Sequence, residues 1–254
     1  MDPDSVVRLG VGKNMVSSIR YWLKCFNIIN NRDEITEFGN KLLSDKGYDP
    51  YLENEGSLWL LHYQLIKTGH ASIYSVLFNE FRKEKLFFNR NSFVNYLKRR
   101  KETEPEIPFN ANTLSDDFQV FIKMYESRAD SKDIEDSFSG LLSELDLVIT
   151  NGSGRDEQLQ IISSERDRLP MSIFLYSILN NPNYGQSIGL NILENERDSP
   201  GSIFCMNRNG LTQKIEEAVN AYSFISYTDH AGVKELQIRS NPHPFDILDE
   251  YYES

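Results

Sequence analysis

Apolar residues recur at helical spacing near the start of the chain, and cations fall on a separate stripe between them. In LGVGKNMVSSIRYWLKCFNIINNRDEITEFGNKLL (residues 9–43), a helical wheel begun at Lys13 puts Lys13, Ser17, Arg20 and Lys24 at about 0, 40, 340 and 20°. Val16, Ile19, Leu23 and Phe26 fall between about 220 and 300°. This predicts a helix from about residue 13 to 26, with one side buried and the other free for solvent or phosphate. Gly10 and Gly12 suit a turn before it. Residues 27–29 read as a short strand, Asn30-Asn31 as a turn, and Ile35 as the return strand. Thr36 is a candidate N-cap for a helix over 37–44. Helix, hairpin and helix together predict a winged helix-turn-helix over residues 1–50.

A helical extension is expected over 51–105. Residues 57–67 (SLWLLHYQLIK) are strongly apolar, 71–88 continue with Ile73, Leu77 and Phe81 at helical spacing, and 92–101 form a short helix ending in Lys98, Arg99, Arg100 and Lys101. The segment ETEPEIPFNAN (102–112) has two prolines and no periodicity, which marks a boundary. The remainder, 106–254, reads as an α+β domain. Thr113 is a candidate cap, and Phe118, Phe121, Ile122 and Tyr125 make a core stripe. An amphipathic stretch runs over 134–147, Asn151-Gly152-Ser153-Gly154 suits a hairpin tip, and 159–162 a strand. Helices are expected over 170–179, 211–221 and 244–252, a strand over 203–206, and a second wing-like hairpin over 224–228 and 233–239. The fold class is therefore mainly α with small β wings: an N-terminal winged helix-turn-helix, a helical middle and a C-terminal winged-helix-like α+β domain.

Charge sharpens this division. The chain has 254 residues and a net charge of −11, which taken whole disfavours a polyanion. Residues 1–101, however, hold 16 Lys and Arg against 11 Asp and Glu, whereas the rest hold 11 against 27. The basic half suits double-stranded DNA, and the acidic half suits a basic protein or simple solubility. Candidate phosphate contacts are Lys13, Asn14, Ser17, Arg20 and Lys24, with Lys98, Arg99 and Arg100 behind them. A winged module serving as a protein adaptor, with those cations merely solvated, is the competing reading. No apolar run approaches the ~20 residues of a membrane span. The N-terminus MDPDS is no signal peptide, so a cytoplasmic location is expected. Cys25 and Cys205 stand far apart without a CxxC neighbour, which predicts buried thiols.

Catalytic signatures are sparse. GVGKN lacks the spacing of a phosphate-binding P-loop, and neither H-E-x-x-H nor G-x-S-x-G occurs. A phosphodiester nuclease needs carboxylates to hold a divalent cation. His62 and Glu80, on successive helices with Arg82 and Lys83 beside Glu80, are one candidate group. The alternative makes His62 a hydrogen-bonded core residue and Glu80 an internal ion-pair partner. Asp229-His230 with Glu235 is a second group, with a turn-forming Asp as its alternative.

LGVGKNMVSSIRYWLKCFNII, TEFG, DPYLE, SLWLLHYQL and FNEF, followed by SPGSIFCMNRNGLTQKIEEAV, YTDHAGVKELQI and ILDEYY, span nearly the whole chain. Together they resemble an uncharacterised bacterial family. Its genes lie beside those similar to phosphoadenosine-phosphosulfate reductase in DNA phosphorothioation and phage-defence clusters. The resemblance implies DNA binding, other phosphorothioation-system proteins as partners, and metal-dependent nicking of the DNA backbone with Mg²⁺ or Mn²⁺. A non-catalytic DNA-binding adaptor or regulator of the same system is the alternative. The family usually begins with an extra segment bearing an F-S-G-H-E-T-F-like motif. This chain opens almost directly on the winged module; if that segment bears the chemistry, the resemblance implies a truncated or divergent form that binds without cutting.

Overall fold

The computed structural model describes residues 10–126, 140–152, 157–230, 232–240 and 242–254. Helix α1 (Lys13–Cys25) starts after Gly12, with no side-chain cap. Asn27 then takes a left-handed backbone (φ 57), and Ile29 meets Ile35 in an isolated antiparallel bridge. Thr36 caps α2 (Glu37–Leu43), its Oγ1 accepting from the Gly39 N–H at 2.9 Å. The helix, turn and capped helix are thus where the pattern puts them, but the expected wing shrinks to a single bridge. The cause is local: Asn30 Oδ1 accepts from the N–H groups of Arg32 and Glu34, so this loop folds on a side chain instead of extending a ladder.

Helix α3 (Glu55–Thr68) is apolar nearly all round, and every residue from Gly56 to Ile66 is buried. It is the central rod of the core. Asn54 caps it, and Gly69 ends it in the left-handed region at φ 61. The helix expected over 71–88 forms in three pieces: α4 (Ser72–Val76), a π-helical turn (Leu77–Phe81) and α5 (Arg82–Glu84). Phe88 leaves the helix to bridge with Leu159. Helix α6 (Arg90–Thr103) starts on a reciprocal Asn89–Ser92 capping box. Asn110, not Thr113, caps α7 (Ala111–Tyr125), accepting from the N–H groups of Asn112 and Thr113. The expected stripe Phe118, Phe121, Ile122 and Tyr125 is buried.

Residues 134–139 of the amphipathic stretch at 134–147 lie outside the described residues, and the remainder holds a 3-10 turn, Ser143–Leu145. Strands β1 (Val148–Asn151) and β2 (Gln158–Ile161) then pair antiparallel, Val148 opposite Ile161. After α8 (Met171–Leu179) come β3 (Ser187–Gly189), α9 (Leu190–Asn195), α10 (Pro200–Ile203) and α11 (Arg208–Ala221). The chain closes with β4 (Ile225–His230), β5 (Val233–Ile238) and α12 (Pro244–Glu253). The expected hairpin is β4–β5, and β3 adds a third antiparallel strand in the order β3-β5-β4. The strand expected at 203–206 does not form. Ser199 caps α10 with Pro200 in its first turn, so Ile203 ends a helix, and only Met206 bridges, to Ser164.

The fold is therefore mixed α+β and mainly helical, with small antiparallel sheets. One contiguous hydrophobic core runs from Cys25 to Leu248 and draws on all three expected segments. Both cysteines lie in it as free thiols. Contacts also join the two ends of the chain: Lys41 Nζ lies 2.7 Å from Asp249 Oδ1, and the Tyr48 and Tyr252 rings stack at 4.5 Å.

Candidate nucleic-acid interface

Helix α1 buries less than its apolar stripe predicts. Val16, Cys25 and Phe26 are buried, but Ile19 is 39% and Met15 55% exposed. Only the C-terminal half of the helix is well seated, because its principal packing partner is the central α3. Lys13, Asn14, Ser17 and Arg20 are exposed, as the cationic stripe requires, and Lys24 is half-buried.

Two of these cations are already engaged. Arg20 donates through Nε to Asp33 Oδ1 at 2.7 Å and pairs through its second nitrogen with Oδ2. Lys24 Nζ sits 2.9 Å from Asp33 Oδ1 and donates to the Asn31 carbonyl at 3.3 Å. The bonds from Arg20 and Lys24 hold the Asp33 carboxyl down to about 2. Asp33 stands at the tip of the 30–34 loop with φ 65. The two cations thus fasten this loop to α1. Lys13, Asn14 and Ser17 are left as the open part of the face.

The second basic run divides similarly. On α6, Arg99 pairs with Glu84 at 2.7 Å, and Arg100 binds Glu104 at 2.9 Å and Glu80. Lys101 donates to the Ile107 carbonyl at 3.4 Å, while Lys98 is exposed.

The proposed catalytic pair is not arranged for chemistry. His62 is fully buried on α3. Its Nε2 lies 2.8 Å from the Ile203 carbonyl, which can only accept, so Nε2 donates. Its Nδ1 must then accept from the Tyr125 hydroxyl at 2.7 Å. Burial pushes the imidazole down to about 3, so it is neutral and has no free nitrogen for water or metal. Glu80, on the π-helical turn, is held by Arg197 on one oxygen and by Arg100 and Tyr96 on the other. In this structure His62 is a hydrogen-bonded core residue and Glu80 an ion-pair partner, and the two side chains point to different partners. The second group is also engaged: Asp229 lies 3.5 Å from Lys234, and Glu235 accepts from Ser187 at 2.8 Å. Among the described residues no three His, Cys, Asp or Glu side chains gather as a metal site. The carboxylates of Asp33 and Glu80 carry guanidinium partners, so they do not fit a divalent cation as they stand.

A model of the family described as "Protein of unknown function (DUF4007)" matches residues 1–252. The chain belongs to DUF4007. Two solved structures are similar to this DUF4007 chain across its length. A magnesium ion-bound SspB crystal structure aligns with a TM-score of 0.84 and 27% identity, over 100% of this chain and 79% of that one. A second SspB crystal structure aligns with 0.83 and 28%, over 99% and 79%. No curated protein matches the chain. No helix among the described residues is long and apolar enough to cross a membrane.

Sequence reasoning missed three residues that organise this DUF4007 chain. Asp33 was passed over because a loop aspartate gives no sign of which cation it will meet. Arg197 lies 117 residues from Glu80, and no periodicity links them. Arg166 is buried with φ 58 and donates to the carbonyls of Phe204 at 3.0 Å, Asp146 at 3.3 Å and Ile162. A fork of five donors suits such a knot of carbonyls, but the sequence shows only one more arginine.

Proposed function

We propose that this DUF4007 chain is a DNA-binding component of a phosphorothioation-based defence system and that it meets the duplex with the exposed stripe of α1. The observation that carries the reading is the full-length likeness to SspB together with Lys13, Asn14 and Ser17 standing open on that helix. The basic balance of residues 1–101 supports it, since phosphate attraction scales with the cations offered. Its test is duplex binding by fluorescence anisotropy across a salt series. Micromolar binding that weakens steeply with salt supports the reading, and no binding at 50–100 mM salt removes it.

A second reading, backbone nicking, is favoured by the magnesium in one SspB structure. Asp33 and Glu80 are paired with guanidinium groups and do not hold a metal as they stand. Supercoiled plasmid incubated with Mg²⁺ or Mn²⁺ should become open-circular and stay closed with EDTA. Plasmid that stays supercoiled with both metals leaves the adaptor role.

A further inference from the structure

The loop at residues 30–34 is tied both to itself and to α1. Asn30 Oδ1 accepts from the N–H groups of Arg32 at 2.8 Å and Glu34 at 3.1 Å. The Asn30 N–H donates to the Glu34 carbonyl at 2.9 Å, and the Asp33 N–H to the Asn30 carbonyl at 3.0 Å. Asn30 Nδ2 donates to Glu34 Oε2 at 2.8 Å. Asp33 is fastened to Arg20 and Lys24, and Lys24 also donates to the Asn31 carbonyl. A loop ordered in advance loses little entropy when it meets a partner.

Two side chains of this loop take no part in that network. Asn31 and Arg32 are exposed, and neither side chain has a hydrogen-bond or ion-pair partner among the described residues. The carboxylates that follow Arg32 are turned elsewhere, Asp33 to Arg20 and Lys24, and Glu34 to Asn30. The loop therefore presents one uncompensated guanidinium and one free carboxamide on a fixed backbone. This pair matches the minor groove of DNA. Arg and Asn are among the side chains that read its A·T-versus-G·C pattern, and the negative potential of a narrow A·T-rich groove draws an arginine inward. The groove is only ~6 Å wide, so single side chains enter where a helix cannot.

Position links the loop to the DNA reading. Asp33 joins α1 at Arg20 and Lys24, which share a stripe with Lys13 and Ser17. The helical rise puts that junction about 10–16 Å along the axis from Lys13. A duplex whose backbone rests on Lys13 and Ser17 would run past the loop. We propose that the 30–34 loop gives this chain a preference for A·T-rich DNA by placing Arg32, with Asn31 beside it, in the minor groove of a duplex lying on α1. The inference rests on the DNA-binding reading above.

Three duplexes of equal length test it by anisotropy at one salt concentration: an A·T-rich one, a G·C-rich one, and the G·C-rich sequence with inosine in place of guanine. Inosine lacks the amino group that guanine puts in the minor groove and keeps the major-groove acceptors. The protein should bind the A·T-rich and inosine duplexes about five- to tenfold tighter than the G·C-rich one. In Arg32→Ala, which removes an exposed side chain without a partner, the three affinities should converge to within about twofold. Lys13→Ala should weaken all three alike and keep the preference, as a phosphate contact does. Equal binding of the three duplexes by the parent chain, or a preference that survives Arg32→Ala, overturns the proposal while DNA binding still stands. An inosine duplex that binds like its G·C parent assigns the preference to the major groove or to DNA shape, and also overturns it. Failure to bind any of the three removes the DNA-binding reading and this inference together.

Discussion

Arg20 and Asp33 meet through the Arg20 Nε at 2.7 Å, with a second nitrogen on the other carboxylate oxygen, and Lys24 joins the same anion at 2.9 Å. One loop aspartate therefore holds two of the five α1 residues expected to contact phosphate. If α1 faces DNA, Asp33 competes with the phosphates for those cations. Asp33→Asn keeps a residue tolerant of φ > 0 and removes the charge. The variant should bind duplex several-fold tighter, and its salt dependence should steepen by about one to two phosphate contacts. Anisotropy titrations at four salt concentrations measure both. An unchanged slope would show that Arg20 and Lys24 do not reach the backbone.

Lys13 makes the complementary case. It is exposed at the start of α1, where no side chain caps the helix, and the helix dipole adds to its positive field. Lys13→Ala should weaken duplex binding and flatten the salt slope by about one contact, without altering the thermal midpoint. Arg20→Ala should cost less DNA affinity than Lys13→Ala but loosen the 30–34 loop, since its guanidinium serves Asp33 first. Amide exchange over residues 30–34 separates the two effects.

His62 gives the fold a pH dependence. Its folded value is about 3, below the ~6.5 of an exposed imidazole. The unfolded chain therefore binds a proton that the folded chain refuses. The stabilising effect of neutral burial is complete above about pH 6.5 and is lost as pH falls from there toward about 3. His62→Leu removes this titration but leaves the Tyr125 hydroxyl without its acceptor and the Ile203 carbonyl with only the weak Cys205 Sγ donor at 3.9 Å, at a cost of about 1–3 kcal/mol at neutral pH. Urea unfolding at pH 8 and pH 5 should show a smaller pH difference in the variant than in the parent chain. An equal difference would mean that other groups carry the acid sensitivity.

Helix α2 makes an unusual demand at Gly39. A Cβ there would lie 2.3 Å from the Ile28 carbonyl oxygen, a backbone atom that cannot swing aside. Alanine normally stabilises a helix interior by up to about 1 kcal/mol over glycine. Here overpacking should win, and Gly39→Ala should destabilise by about 1–3 kcal/mol in thermal or urea unfolding. Stabilisation would show that α2 can move away from the preceding loop.

These residues mark what could be read in the chain. The period of Phe118, Phe121, Ile122 and Tyr125 and the cap at Thr36 are local signals, and both are present in the fold. The hairpin at 225–238 is equally local, since its two alternating runs are adjacent in sequence. The wing is reduced to the Ile29–Ile35 bridge because Asn30, a turn former in the sequence, also binds the N–H groups of Arg32 and Glu34. The strand at 203–206 failed because a four-residue apolar run has no period of its own, and Ser199-Pro200 decided for a helix. The partners of His62 and Glu80 were illegible for a different reason. Placing them on neighbouring helices was sound, but the sequence does not say that His62 points to Tyr125 and Ile203 while Glu80 points to Arg100 and Arg197. Partners 20 to 141 residues apart are set by packing, which no local pattern encodes.

The Glu80 clamp can be weighed by a double-mutant cycle. Its carboxylate spans Arg100 on α6 and Arg197 in the loop after α9, and Arg197 also donates to Ser75 Oγ at 2.9 Å. Glu80 is 27% exposed and Arg197 57%, so the pair lies between an open surface bridge and a buried one. Glu80→Gln should cost about 1–2 kcal/mol, above the surface range and below the buried one. Arg197→Ala should cost less, and the double variant should lose less than the sum, with a coupling energy of at least about 0.5 kcal/mol. The same variants address chemistry. If the plasmid assay detects nicking, Glu80→Gln should retain it per mole of folded protein, because a carboxylate held by two guanidinium groups serves the fold. Loss of nicking at an unchanged folded fraction would return Glu80 to the reaction and require the clamp to open during turnover.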